Sequence, residues 1–74
     1  MGKGITESFG LRLRKLRSGK GISQEELADR CGLHRTFIGR IERGESNITL
    51  TTLHKVAVGL GVRASALIDD RARP

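Results

Sequence analysis

The stretch SQEELADRCG, from Ser23 to Gly32, constrains the fold more than any other because it marks both ends of one short helix. Ser23 and Glu26 form a capping box: the serine hydroxyl accepts from the Glu26 amide, and the Glu26 carboxylate reaches back. Gly32 can take the left-handed conformation that ends a helix. Leu27, Ala28 and Cys31 fall on its inner face. A helix of two turns is not stable alone, so its apolar face requires an immediate packing partner.

That partner follows directly. From about His34 to Arg43 a further helix is expected, anchored by Ile38 and Ile41 and closed by Gly44. Two short helices joined by a glycine-containing turn have the spacing of a helix-turn-helix. Ala28 suits the crossing, since a small side chain lets the two helices approach closely. The second helix would turn His34, Arg35, Thr36, Gly39, Arg40 and Arg43 outward, a donor-rich face that fits the DNA major groove. Gly39 costs about 1 kcal/mol against alanine inside a helix. Close approach of the backbone to DNA and a flexible helix tip both account for it.

The remaining chain reads as three more helices. Thr6 is the expected cap of the first, with Phe9, Leu13 and Leu16 on one face and Gly19 and Gly21 at its end. Residues 45–49 form a polar connection. Thr49 then caps a fourth helix, in which Leu50, Leu53, Ala57 and Leu60 repeat at near-helical spacing. A fifth is expected from Val62 to Ile68 with Leu67 inward. One all-α domain over residues 6–68 results, with mobile ends at 1–5 and 69–74.

Charge and composition narrow the function. The chain has 74 residues and a net charge of +6, which favours polyanionic partners. Residues 1–22 hold most of the excess, with Lys3, Arg12, Arg14, Lys15, Arg17 and Lys20 set against Glu7 alone. A single cysteine permits no internal disulfide and suits a reducing, cytoplasmic setting. Cys31 reads as a small core residue. No apolar run reaches membrane-spanning length. A myristoylation pattern at Met1-Gly2 and a glycosylation sequon at Asn47 are both outweighed, by a plain N-terminus and by a loop with a helix cap. His34 and His54 lack metal-ligand spacing with Cys31, and no nucleophile–base or carboxylate pair can be assembled. The reading is therefore no enzyme, no metal, no cofactor and no evident small-molecule ligand.

Taken together, Gly21-Ile-Ser-Gln-Glu-Glu-Leu-Ala28, Gly32-Leu33, Ile38, Ile41-Glu-Arg-Gly44 and Leu60-Gly-Val62 resemble the Cro/repressor-type (Xre-like) helix-turn-helix family. Residues 34–43 followed by Asn47-Ile-Thr49 look most like the controller proteins of restriction–modification systems. The resemblance implies a lambda-repressor-like five-helix fold, binding of double-stranded DNA as a homodimer on a palindromic operator, and regulation of transcription by blocking or contacting RNA polymerase. It also implies residue roles. Gln24, with Ser23 beside it, would bind a backbone phosphate at a helix N-terminus. Arg35 and Thr36 would read bases, and Arg40 a base or a phosphate. Arg43, Ser46 and Asn47 would touch the sugar-phosphate backbone, while Arg17 and Glu42 would form a structural salt bridge. Arg63 departs from the serine common at the cap of the fifth helix, which leaves that helix open to fraying. The dimer interface is expected at Val58, Val62, Ala66 and Ile68. An antitoxin-like protein-binding module and an RNA binder are the rival readings. The second is disfavoured because Phe9 and Phe37 are the only aromatic residues.

Overall fold

Helix α1 (Ile5–Gly19) opens the chain in the computed structural model, which describes residues 4–68. The expected mobile ends lie outside the described residues except at Gly4 and Ile5. Helix α1 begins at Ile5 behind Gly4, whose φ is 57°, and Thr6 lies inside the first turn and is not its cap. Helix α2 (Gln24–Cys31) has the anticipated ends: Ser23 Oγ accepts from the Glu26 amide at 2.9 Å, and Gly32 caps it at φ 71°. Only glycine holds that left-handed conformation without strain.

Helix α3 (Arg35–Glu42) is one residue shorter at each end than its sequence suggests, because His34 and Arg43 serve as its caps. Helix α4 (Leu50–Leu60) starts behind Thr49, whose hydroxyl accepts from the Thr52 amide at 3.1 Å, and stops at Gly61. Helix α5 (Ala64–Ile68) is a single short turn and a half, shorter than the expected 62–68. Val62 is not part of it. Its amide instead closes the end of α4 on the Ala57 carbonyl at 3.0 Å.

Every helix contributes to one core. Phe9 and Leu13 come from α1, Leu27, Ala28 and Cys31 from α2, Ile38 and Ile41 from α3, Val56, Ala57 and Leu60 from α4, and Leu67 from α5. Leu16 and Leu53 pack against it partly buried. Leu50 does not join them, being 83% exposed. The inward stripe of α4 is Leu53, Val56, Ala57 and Leu60; one turn earlier, Leu50 projects past the edge of the core.

Two close approaches lock this arrangement. At Gly10 a β-carbon would run into the carbonyl oxygens of Ile41 and Glu42, so α1 meets the end of α3 backbone to backbone. At Gly59 a β-carbon would meet Cys31 Sγ and the backbone at residues 30 and 31, where α4 crosses α2. Burial at that crossing raises the pKa of the Cys31 thiol, with Arg30 opposing the shift. Native protein is accordingly expected to resist alkylation by iodoacetamide at mildly alkaline pH, and to react once denaturant opens the α2–α4 contact. Labelling of folded protein at the rate of a free thiol would contradict this packing.

Candidate nucleic-acid interface

Helix α3 lies across α2 and presents one side to solvent. Arg35, Thr36, Arg40 and Arg43 are exposed there, while Phe37 is half-buried and Ile38 and Ile41 face the core. His34 is exposed, but its Nδ1 accepts from the Thr36 amide at 3.1 Å and caps the helix. A ring nitrogen that accepts carries no proton, so His34 offers only Nε2–H as a donor. Gly39 is buried, which corrects its expected place on the exposed face. The point where its β-carbon would stand lies 3.3 Å from Arg43 Nη1 and 3.6 Å from Gln24 Oε1.

Beneath this surface lies a buried ionic cluster. Arg17 grips Glu42 with two parallel hydrogen bonds, Nε to Oε2 at 2.6 Å and Nη2 to Oε1 at 3.0 Å. The remaining guanidinium nitrogen of Arg17 donates to the Ile22 carbonyl at 2.9 Å. The side chains are 13% and 3% exposed. Hydrogen bonding to Glu42 raises the Arg17 pKa, against the opposing cost of burial. Gln24 joins the cluster, its Nε2 donating to Glu42 Oε1 at 2.9 Å. An ionised carboxylate only accepts, so Glu42 dictates which end of the Gln24 amide faces inward. The sequence pointed to the Arg17–Glu42 pair through the family resemblance alone. It carried no sign of the Gln24 bond, because eighteen residues separate the partners.

Acidic residues flank the exposed arginines. Arg35 Nη1 is 3.5 Å from Glu25 Oε1, and Arg43 Nε is 3.1 Å from Glu45 Oε2. Both pairs are exposed, and such pairs contribute about 0–1 kcal/mol, so either arginine can exchange its partner for a phosphate or a base. Ser23 is exposed with its hydroxyl committed to the α2 cap. Ser46, half-buried, and Asn47, exposed, line a cleft of about 290 Å³ together with the apolar residues Ile5, Phe9, Ile48, Leu50, Leu53 and Ile68.

The residues expected to meet a second copy lie on α4, on α5 and in the turn between them, and Ile68 also walls this cleft. Val58 is 63% exposed, Ala66 and Ile68 are exposed, and Val62 is half-buried against the core. Leu50 and Ile5 extend the exposed apolar surface on the Ile68 side. Among the described residues no three His, Cys, Asp or Glu side chains gather as a metal site, and no helix is long and apolar enough to cross a membrane.

This geometry has close relatives. A helix-turn-helix family model (HTH_3) matches residues 13–67. The chain is 45% identical over 62 residues to "Control protein C.BamHI" of Bacillus amyloliquefaciens, covering 82% of this chain and 76% of that protein. It is 43% identical over 63 residues to "Control protein C.MunI" of Mycoplasma sp, covering 84% and 85%. Among solved structures, the restriction-modification controller protein C.AhdI from Aeromonas hydrophila superposes with a TM-score of 0.83 at 43% identity, over 85% of this chain and 96% of that one.

Proposed function

Since the chain belongs to the helix-turn-helix family HTH_3 and is a DNA-binding transcriptional regulator rather than an enzyme, we propose that it is a controller protein of a restriction–modification system. On this reading it acts in the cytoplasm as a homodimer on a palindromic duplex operator. The observation that carries the proposal is the exposed set Arg35, Thr36, Arg40 and Arg43, presented on one side of a helix anchored from below by the Arg17–Glu42–Gln24 cluster. Arg35 and Thr36, at the first turn of α3, suit base edges; Arg can pair bidentately with guanine, and Thr can meet a thymine methyl. Arg40 suits a base or a phosphate one turn on. Gln24, Arg43, Ser46 and Asn47, with Ser23 and His34 beside the helix starts, suit the flanking backbone. The kinship with "Control protein C.BamHI" and "Control protein C.MunI" supports the narrower assignment.

Val58, Val62, Ala66 and Ile68 make the proposed dimer face, to which the exposure of Leu50 adds apolar area. A small domain leaving that much apolar surface in water gains by covering it with a second copy. Symmetric pairing would set two α3 helices about 34 Å apart, one turn of duplex. RNA polymerase is the further partner of such a regulator, blocked or contacted at the promoter. Selection of bound fragments from a random DNA pool tests the proposal and should return a two-fold symmetric sequence. Sedimentation across a concentration series should show a dimer at micromolar protein. A monomer that binds one half-site tightly would rule out the symmetric operator.

A further inference from the structure

Helices α2, α3 and α4 are each capped by the side chain of the residue before them, and the three caps differ in kind. Ser23 and Thr49 accept from the amide three residues on, at 2.9 and 3.1 Å, and both are residues that helix starts favour. Helix α3 uses His34, whose Nδ1 accepts from the Thr36 amide at 3.1 Å. A hydroxyl would cap as well, so capping alone does not call for an imidazole. What the imidazole adds is a second nitrogen across the ring. With Nδ1 spent as an acceptor, Nε2 carries the proton of the neutral ring. Among the described residues no protein group takes that proton, and the side chain that bears it is exposed.

We propose that His34 is a specificity-determining residue: the cap fixes its tautomer and holds Nε2–H at the first turn of α3 as a single neutral donor to an acceptor on a base edge. The proposal rests on reading α3 as the helix that enters the major groove, and it goes beyond a backbone role for His34. The bond to the Thr36 amide keeps the ring at the end of the helix, beside the two side chains that suit bases, Arg35 and Thr36. The major groove offers such a donor purine N7, guanine O6 and thymine O4. A guanidinium is drawn to any anion within reach, whereas a neutral N–H depends on one acceptor standing in line with it. Being neutral, it displaces no counterion, so its contribution does not follow salt.

The test uses His34→Ser and His34→Asn. Both side chains cap helices well, and neither carries a donor where Nε2 stands. Melting temperatures are measured beside binding to a duplex that the parent selects from a random pool, to its single base-pair variants and to a scrambled duplex, across a salt series. Both protein variants should melt no lower than the parent. They should bind the selected duplex roughly 3- to 10-fold more weakly, the order of one neutral hydrogen bond. Scrambled duplex should be bound as the parent binds it, with the same salt slope. At one base pair, substitution should weaken the parent and leave both variants unaffected, which couples His34 to that base. Equal losses on selected and scrambled duplex would make His34 a backbone contact and overturn the proposal. Parental affinity in both variants would overturn it as well, leaving His34 a cap alone. A lower melting temperature in both would trace the loss to the helix start and overturn it too. A parent protein that selects no sequence would remove the base-reading helix itself, and this proposal with it.

Discussion

Glu42→Ala should lower the melting temperature far more than Glu45→Ala, although each removes one carboxylate from an arginine. Glu42 is 3% exposed and accepts from Arg17 Nε, Arg17 Nη2 and Gln24 Nε2. Its removal leaves a guanidinium that is itself only 13% exposed without its counter-charge, and a Gln24 amide without its acceptor. Breaking a buried pair from one side costs about 3–5 kcal/mol, most of it from the stranded charge. Each kcal/mol moves the midpoint of a domain this small by roughly 4–8 °C, so a loss of more than roughly 10 °C is expected. Glu45 holds Arg43 at the surface, where such pairs contribute about 0–1 kcal/mol. Thermal unfolding followed by circular dichroism checks both variants. The double variant Arg17→Met/Glu42→Leu should recover much of the loss, because replacing both charges strands neither. Equal shifts for Glu42→Ala and Glu45→Ala would mean that the buried pair contributes no more than a surface one.

The same cluster marks where sequence reasoning succeeds and where it stops. Features decided within one turn of chain were legible. The Ser23 and Thr49 caps and the Gly32 stop stand where the local pattern put them, since a cap needs only its own next few residues. So were the inward positions Leu13, Leu27, Ala28, Ile38 and Leu67, which follow from helical period. Thr6 and Leu50 went astray for opposite reasons. Thr6 could cap a helix, but the chain is already helical at Ile5 behind Gly4. Leu50 keeps the period of α4, yet period says nothing of how far the core extends along a helix. Contacts between elements were less visible still. Nothing local distinguishes Gly10, pressed on the end of α3, from Gly39, which sits beneath Gln24 and Arg43. The pairing of Arg35 with Glu25 likewise depends on how α2 crosses α3.

That crossing places two arginines at opposite ends of α3, and they are expected to differ in kind. Arg35 opens the helix, 65% exposed, and its contact to Glu25 at 3.5 Å is too long and too wet to restrain it. Arg43 closes the helix, with Nε on Glu45 and Nη1 3.3 Å from where a Gly39 β-carbon would stand, and on the proposed reading it meets the flanking backbone. Arg35→Ala should therefore cost about 1–3 kcal/mol on the preferred operator and relax the preference at one base position. Arg43→Ala should weaken operator and scrambled DNA alike and lower the salt slope by roughly one counterion for each lost phosphate contact. Binding of both variants to both DNAs across a salt series separates the two. Neither substitution touches the core, so melting temperatures should stay near the parent and leave the comparison free of folding effects. If Arg35→Ala weakens both DNAs equally, the start of α3 grips phosphate and reads no base. Sequence discrimination would then have to come from Thr36 and Arg40, or from the energy of deforming the duplex between two half-sites.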